Sequence, residues 1–196
     1  MTTEDPRDLL PDMPAHVASE FLLWLWYRET QGNNVYEMDD GRKACIELLD
    51  MIELKRPEEE KASVTLRAVS TGEHPELLAS LCAGRVLHRA SMSVEMVDAD
   101  DRTFRVTLTG KRLTWSGVKL PTILKNGDVA EQLYEQIFLY EELHTVLRSV
   151  FAQFASRRIS EDRWQQEGNS LRRWLGATFA RTFNFDPTTG QGMLFG

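Results

Sequence analysis

The pattern of hydrophobic and polar positions divides the chain into a helix, a run of strands and a helical C-terminal part. Residues 21–27 are all apolar and lie inside a predicted helix from about Pro14 to Thr30. A proline suits the first turn of a helix, and the sequence Gly32-Asn33-Asn34 predicts its end. A helix that is apolar on all sides is buried from several directions.

Alternation of apolar and polar residues predicts strands through the middle of the chain. The predicted strands cover residues 35–38, 42–49 with a continuation past a bulge at 51–55, 63–69, 86–97, 104–109 and 113–115. A short helix at about 74–83 should end at Gly84. The strands at 86–97 and 104–109 form a hairpin, whose first strand directs these side chains to one face: Val86, His88, Ala90, Met92, Val94 and Met96.

Two long helices are predicted at 128–155 and 160–183, which places both long helices after residue 125 and all the predicted strands before it. The first of them carries apolar residues at helical spacing: Leu133, Ile137, Tyr140, Leu147, Phe151 and Phe154. Segregated strands and helices indicate an α+β fold, in which an antiparallel sheet of about five to six strands packs against the N-terminal helix and two long C-terminal helices. We expect a flexible acidic leader over 1–13, one domain over 14–183 and a flexible tail over 184–196.

Composition is typical of a cytoplasmic globular protein. The 196 residues are 42% hydrophobic and 27% charged, and no apolar run is long enough to cross a bilayer. The acidic, polar N-terminus is unlike a signal peptide. We expect Cys45 and Cys82 to be reduced and to act as small core hydrophobes. Self-association into a homo-oligomer and association with the nucleoid are left open.

The net charge of −7 argues against indiscriminate binding of nucleic acid. Residues 143–196 nevertheless carry 7 basic and 4 acidic side chains, against 16 and 26 in residues 1–142. Basic residues near an aromatic ring suit backbone and stacking contacts with a strand of nucleic acid. The candidates for DNA contact are therefore Lys111, Arg112 and Lys119 beside Trp115, and the pairs Arg157, Arg158, Arg172 and Arg173. The alternative is that these are ordinary solvated positions.

Signatures of catalysis and of cofactor binding are missing from the sequence. There is no nucleophile elbow, zinc-protease helix or phosphate-binding glycine loop. Glu141 and His144 share a helix face, but a dimetal site needs a second such pair, so we predict no metal, no cofactor and no catalytic residue. Trp24 and Trp26 lie two positions apart on a helix and point in different directions, which favours core packing over a base-stacking platform.

The last residues of the chain carry a candidate peptide motif. Gln191 is followed by Met193, Leu194 and Phe195, after a stretch with turn chemistry at 186–190. This pattern resembles the pentapeptide by which bacterial DNA polymerases and repair proteins bind the replication sliding clamp. Two adjacent apolar side chains would fill a pocket while the glutamine amide fixes the register by hydrogen bonds. The alternative is a frayed terminus.

A second resemblance covers about residues 14–180. The segment 20–28, Glu-Phe-Leu-Leu-Trp-Leu-Trp-Tyr-Arg, together with 118–121, Val-Lys-Leu-Pro, and 139–143, Leu-Tyr-Glu-Glu-Leu, resembles the C-terminal region of the long RdgC-type recombination-associated proteins. The resemblance implies a non-enzymatic protein that binds DNA with little sequence preference and restrains the RecA-type recombinase. It does not extend to the N-terminal region that builds the DNA-encircling dimer ring of that family.

Both resemblances point to DNA metabolism. The sequence therefore predicts a non-catalytic accessory protein of DNA replication, recombination or repair, which is recruited to the sliding clamp by its tail and contacts DNA weakly. One alternative is a protein-binding or structural module without a DNA role. Another is an enzyme of an unrecognised type, which would require a concave pocket with converging acids or histidines.

Overall fold

The computed structural model describes residues 15–56, 63–67, 75–97, 102–110, 113–121 and 128–184. Over these ranges the chain forms an antiparallel sheet with helices packed against it, so the predicted α+β class is confirmed. In chain order the elements are α1 (Ala15–Thr30), β1 (Val35–Glu37), β2 (Lys43–Lys55), β3 (Ser63–Arg67), α2 (Pro75–Cys82), β4 (Val86–Met96), β5 (Thr103–Thr109), β6 (Thr114–Lys119), α3 (Val129–Ile159) and α4 (Glu161–Thr182).

The six strands follow the order β1-β2-β4-β5-β6, and β3 pairs with the second half of β2. The bulge predicted in β2 is confirmed by a shift of register between Leu48 and Ile52. A bulge leaves a ladder donor without its strand partner. Here the Leu48 N–H donates to the Glu29 carboxylate of α1 at 3.0 Å. Burial raises the pKa of Glu29, and this hydrogen bond opposes the rise.

The first residues of β4 face the opposite way from the prediction. Leu87 is buried, whereas Val86 and His88 are half-buried. A second register shift lies between Glu53 and Leu54 of the neighbouring strand β2. Because a slip of one residue exchanges the two faces of a strand, the predicted alternation is correct only from Ala90 onward.

Helix α1 passes through the middle of the core, as its apolar sequence predicted. Trp24 lies among Phe21, Tyr36 and Phe154, with ring centroids 5.6 to 6.2 Å apart. Trp26 points away from this group and meets Trp174 of α4 edge-on at 5.1 Å. Both indoles are fully buried, so core packing is confirmed.

Helix α3 buries a different face from the one predicted at its start. Leu133, Ile137 and Tyr140 were expected in the core, but they are exposed. The core instead receives Leu139, Leu143, Val146, Val150, Phe151 and Phe154. The N-terminal half of α3 is apolar on more than one side, and only the side that meets the sheet and α1 is covered.

Smaller differences concern element ends and the cysteines. Strand β6 is longer than predicted, and α3 continues to Ile159. Cys82 was expected in the core but is exposed, because it lies in the last turn of α2 just before Gly84, whose φ is 80°. Cys45 is half-buried and accepts a hydrogen bond from Asn34 at 3.1 Å. Both thiols are free, and partial desolvation of the sulfur raises the pKa of each. No helix in the described ranges is long and apolar enough to cross a membrane.

Candidate interaction surface

The N-terminal half of α3 exposes a set of large apolar side chains, which we call the α3 face. Leu133 retains 56% of its accessible surface, Tyr134 74% and Ile137 46%. Residues four apart on a helix lie above one another, so these side chains form adjacent rows along the helix. The α3 face consists of Val129, Leu133, Tyr134, Ile137, Phe138 and Tyr140.

The helix that carries this face begins at a fixed point. The Asp128 carboxylate accepts the Glu131 N–H at 2.8 Å, and the Glu131 carboxylate accepts the Asp128 N–H at 3.2 Å. This reciprocal capping box satisfies donors that a helix start otherwise leaves unpaired. It therefore favours a helical conformation from the first residue of the α3 face onward.

A buried ion cluster holds α3 against the ends of two hairpins. The Glu142 side chain is only 3% exposed and accepts hydrogen bonds from Arg42 at 2.9 Å and Arg102 at 3.2 Å. Arg42 lies just before β2 and Arg102 just before β5. The Arg102 guanidinium also lies 5.9 Å from the ring centroid of Phe138, at the border of the α3 face. Contacts on three elements thus fix the position of this helix.

The charged side chains along the part of α3 that carries this face are all acidic. Between positions 128 and 147 the sequence contains five acidic residues and no lysine or arginine. The acids are Asp128, Glu131, Glu135, Glu141 and Glu142. Since Glu142 is compensated by two arginines and Glu135 is half-buried, the exposed carboxylates of Glu131 and Glu141 set the negative potential beside the exposed apolar rows.

A polar cleft of about 860 Å³ lies where α1, α3 and α4 meet. Its lining includes Arg28, Asp39, Arg163 and Glu167 but no histidine. Glu167 is held there by two donors, the Trp24 indole Nε1–H at 2.7 Å and the Arg157 guanidinium at 3.0 Å. The convergence of acids and histidines that would point to acid–base chemistry is therefore not found in this cleft.

Four of the predicted DNA-contact residues lie in α3 and α4. Arg157 pairs with Glu167 at 3.0 Å, and Arg158 pairs with Glu20 at 2.8 Å. Arg172 donates to Asn169 at 3.0 Å. Arg173 is exposed on the same helix. Two of these four guanidiniums therefore serve to join helices within the molecule.

The other predicted contact residues lie elsewhere. Lys119 is exposed at the end of β6. Lys111 and Arg112, the leader 1–13 and the motif residues Gln191, Met193, Leu194 and Phe195 lie outside the described residues.

Glu141 and His144 are both exposed on α3, and the His144 ring stacks on Trp115 of β6 at 5.7 Å. Within the ranges that the structure describes, no three or more histidine, cysteine and acidic residues are grouped as a metal site would require. The histidine therefore borders the α3 face as an aromatic neighbour.

The α3 face was not predicted, although the sequence carries a signal for it. Leu133, Tyr134, Ile137, Phe138 and Leu139 are more apolar positions than one buried stripe of an amphipathic helix needs. The excess indicated a second apolar side, but not which side would be covered.

No protein-family model matches the chain, and no curated protein is similar enough in sequence to indicate its family.

Proposed function

We propose that this chain is a non-catalytic accessory protein of DNA replication, recombination or repair, recruited to a bacterial sliding clamp by residues 191–195. The proposal is supported by the resemblance of that segment to clamp-binding peptides and by the similarity of residues 14–180 to RdgC-type proteins. In this role residues 191–195 bind the clamp and thereby recruit the folded domain to it.

The observation that carries the proposal is the position of the motif relative to the last helix. Helix α4 ends at Thr182, and Phe183 closes it by donating its N–H to the Phe179 carbonyl. Gln191 therefore follows eight positions after the helix cap, beyond a proline at 187 that cannot continue a helix. On the clamp, Leu194 and Phe195 would be the apolar anchors and the Gln191 amide would fix the register.

Binding through so few residues is expected to be of micromolar affinity. Burying one leucine or phenylalanine side chain contributes roughly 1.5–3 kcal/mol, from which the cost of ordering the segment is subtracted. Weak contact of Lys119, Arg172 and Arg173 with DNA would add to retention near the clamp at low salt. Arg157 and Arg158 are less available for such contact because each already pairs with a glutamate.

A titration of purified clamp with fluorescently labelled full-length chain tests this proposal. Alanine at both Leu194 and Phe195 should weaken binding by at least about 100-fold, since two anchors are lost. Alanine at both Thr188 and Thr189, in the spacer, is the matched control and should leave the affinity unchanged. Equal clamp affinity for the anchor variant and the wild type would refute the proposal.

A protein-binding module without a DNA role is the second candidate function, and the α3 face favours it. Exposed Leu133 and Ile137 suit contact with a protein rather than with a phosphate backbone. Electrophoretic mobility of labelled single- and double-stranded DNA at low salt separates the two candidates. A chain that shifts neither DNA form and does not bind the clamp would be assigned to this second function.

A further inference from the structure

The α3 face is an apolar surface that the described part of the chain leaves uncovered. Its six side chains are contiguous on about three turns of one helix, and each is more than two-fifths exposed. Single exposed apolar residues are ordinary in globular proteins, but contiguous groups of large ones mark surfaces of interaction. The clamp-binding proposal makes no use of this surface.

The arrangement of the side chains fits a helical partner. Val129, Leu133 and Ile137 form one row, and Tyr134 and Phe138 form a second row beside it. The first row spans roughly 12 Å along the helix axis, at a rise of about 1.5 Å per residue. Rows at four-residue spacing form ridges, and a second helix packs its own side chains into the groove between such ridges.

The α3 face is also held in place before any partner binds. The capping box at Asp128 and Glu131 fixes the helix start, and Glu142 is bound by Arg42 and Arg102 at the other end. A surface that is already ordered loses little conformational freedom on association. This order distinguishes the α3 face from a loop that would have to fold on binding.

Electrostatics restricts the chemistry of the partner. The charged residues of the helix segment 128–147 are all acidic, so the segment would repel an anionic partner such as nucleic acid or an acidic lipid surface. A second copy of the same face would bring the exposed Glu131 and Glu141 opposite the same carboxylates, which is unfavourable. Lysine and arginine beside apolar anchors would complement both features of the surface.

We infer that the α3 face is a docking site for an amphipathic helix of a partner protein, whose apolar residues are flanked by lysine and arginine. The helix lies along the two apolar rows, and its cations face the exposed carboxylates of Glu131 and Glu141. The inference uses none of residues 191–195, so it does not depend on clamp binding.

Two designed peptides of about 18 residues, or five helical turns, test the inference with the full-length chain. Both carry leucine at every third or fourth position; one has lysine and the other glutamate at the flanking positions. Fluorescence anisotropy of each labelled peptide should show saturable binding of the lysine peptide, at least about tenfold tighter than the glutamate peptide. The affinity should fall as salt is raised. Equal binding of both peptides, or binding of neither, would overturn the inference.

Variants then assign the binding to the α3 face. Serine at both Leu133 and Ile137 should weaken the lysine peptide at least about tenfold, since central apolar anchors dominate interface energy. Ile159→Ser is the matched control, because Ile159 is an exposed apolar residue at the far end of the same helix. Both variants should keep the wild-type circular dichroism and unfolding midpoint, as the altered side chains are largely exposed. An equal loss for the control and the double variant would contradict the assignment.

A charge variant tests the electrostatic argument, and two further measurements detect other occupants of the α3 face. Glu141→Lys should weaken the lysine peptide and strengthen the glutamate peptide, whereas no change in either would contradict the electrostatic argument. If sedimentation shows a dimer that the Leu133/Ile137 double variant dissociates, a second copy occupies the face and the inference fails. It also fails if the lysine peptide binds only after residues 185–196 are removed, because that segment would then be the occupant.

Discussion

The ion cluster around Glu142 predicts that removing the carboxylate and removing its two arginines lower the free energy of unfolding by different amounts. The carboxylate is 3% exposed, whereas the side chains of Arg42 and Arg102 are 39% and 41% exposed. Removing a buried charge and removing its partners are therefore different perturbations. Without Glu142, both guanidiniums can turn to water, but without the arginines the carboxylate keeps its charge in the protein interior.

The expected magnitudes follow from these exposures. Glu142→Leu removes the buried charge and places an apolar side chain of similar size beside Leu139, Leu143 and Val146, so we expect a cost of about 0–2 kcal/mol. The double change of Arg42 and Arg102 to methionine keeps the apolar stems but leaves a carboxylate without its cations, which costs about 3–5 kcal/mol. The pair of Arg42 with Asp40 contributes little because both are exposed.

Thermal unfolding at pH 7 and moderate salt measures this difference. For a chain of this size a loss of 1 kcal/mol lowers the unfolding midpoint temperature by roughly 2–4 °C, so the two variants should be clearly separated. Arg172→Met, which removes an exposed arginine bonded to Asn169, is the control and should stay within about 0.5 kcal/mol of the wild type. If Glu142→Leu costs as much as the double arginine variant, the argument from desolvation is wrong.

Two further predictions concern the core and the glycines. Burial raises the pKa of Tyr36 to about 12 from its ordinary 10.0, so its contribution to stability is intact below pH 10 and is lost as pH rises toward 12, by up to roughly 3 kcal/mol. Tyr36→Phe should flatten the unfolding free energy over that pH range, and an unchanged slope would refute this. Gly110→Ala should cost about 1–3 kcal/mol in urea unfolding, because its Cβ would lie 3.1 Å from the His88 carbonyl oxygen. Gly176→Ala, in an open part of α4, should instead stabilise by about 0.5–1 kcal/mol, and equal effects of both changes would contradict the packing argument.

Several elements were predicted correctly because their signals are local. The apolar run of α1 and its end at Gly32, with φ 66°, depend only on neighbouring residues. The same holds for the start of α3 next to Asp128 and for the hairpin of β4 and β5, whose alternation from Ala90 onward fixes the register. Periodicity and capping are properties of a few consecutive residues, so one sequence suffices to read them.

The tail motif also comes from the sequence alone, and the clamp prediction remains based on Gln191, Leu194 and Phe195. In contrast, the α3 face was missed. An apolar position next to a second apolar stripe has the same sequence signature whether it is covered or exposed. Leu133 and Leu139 could not be told apart until the sheet and α1 were seen to cover only one of them.

Local sequence thus determined which segments of this protein are helix or strand and where most of them begin and end. The tertiary structure decided which faces these elements bury and which charges they neutralise. The inward turn of Leu87 depends on a register shift in the neighbouring strand β2. The pairing of Glu142 with Arg42 and Arg102 joins residues that are 100 and 40 positions apart. Burial and pairing are interactions between distant segments, and their partners are chosen only when the chain folds.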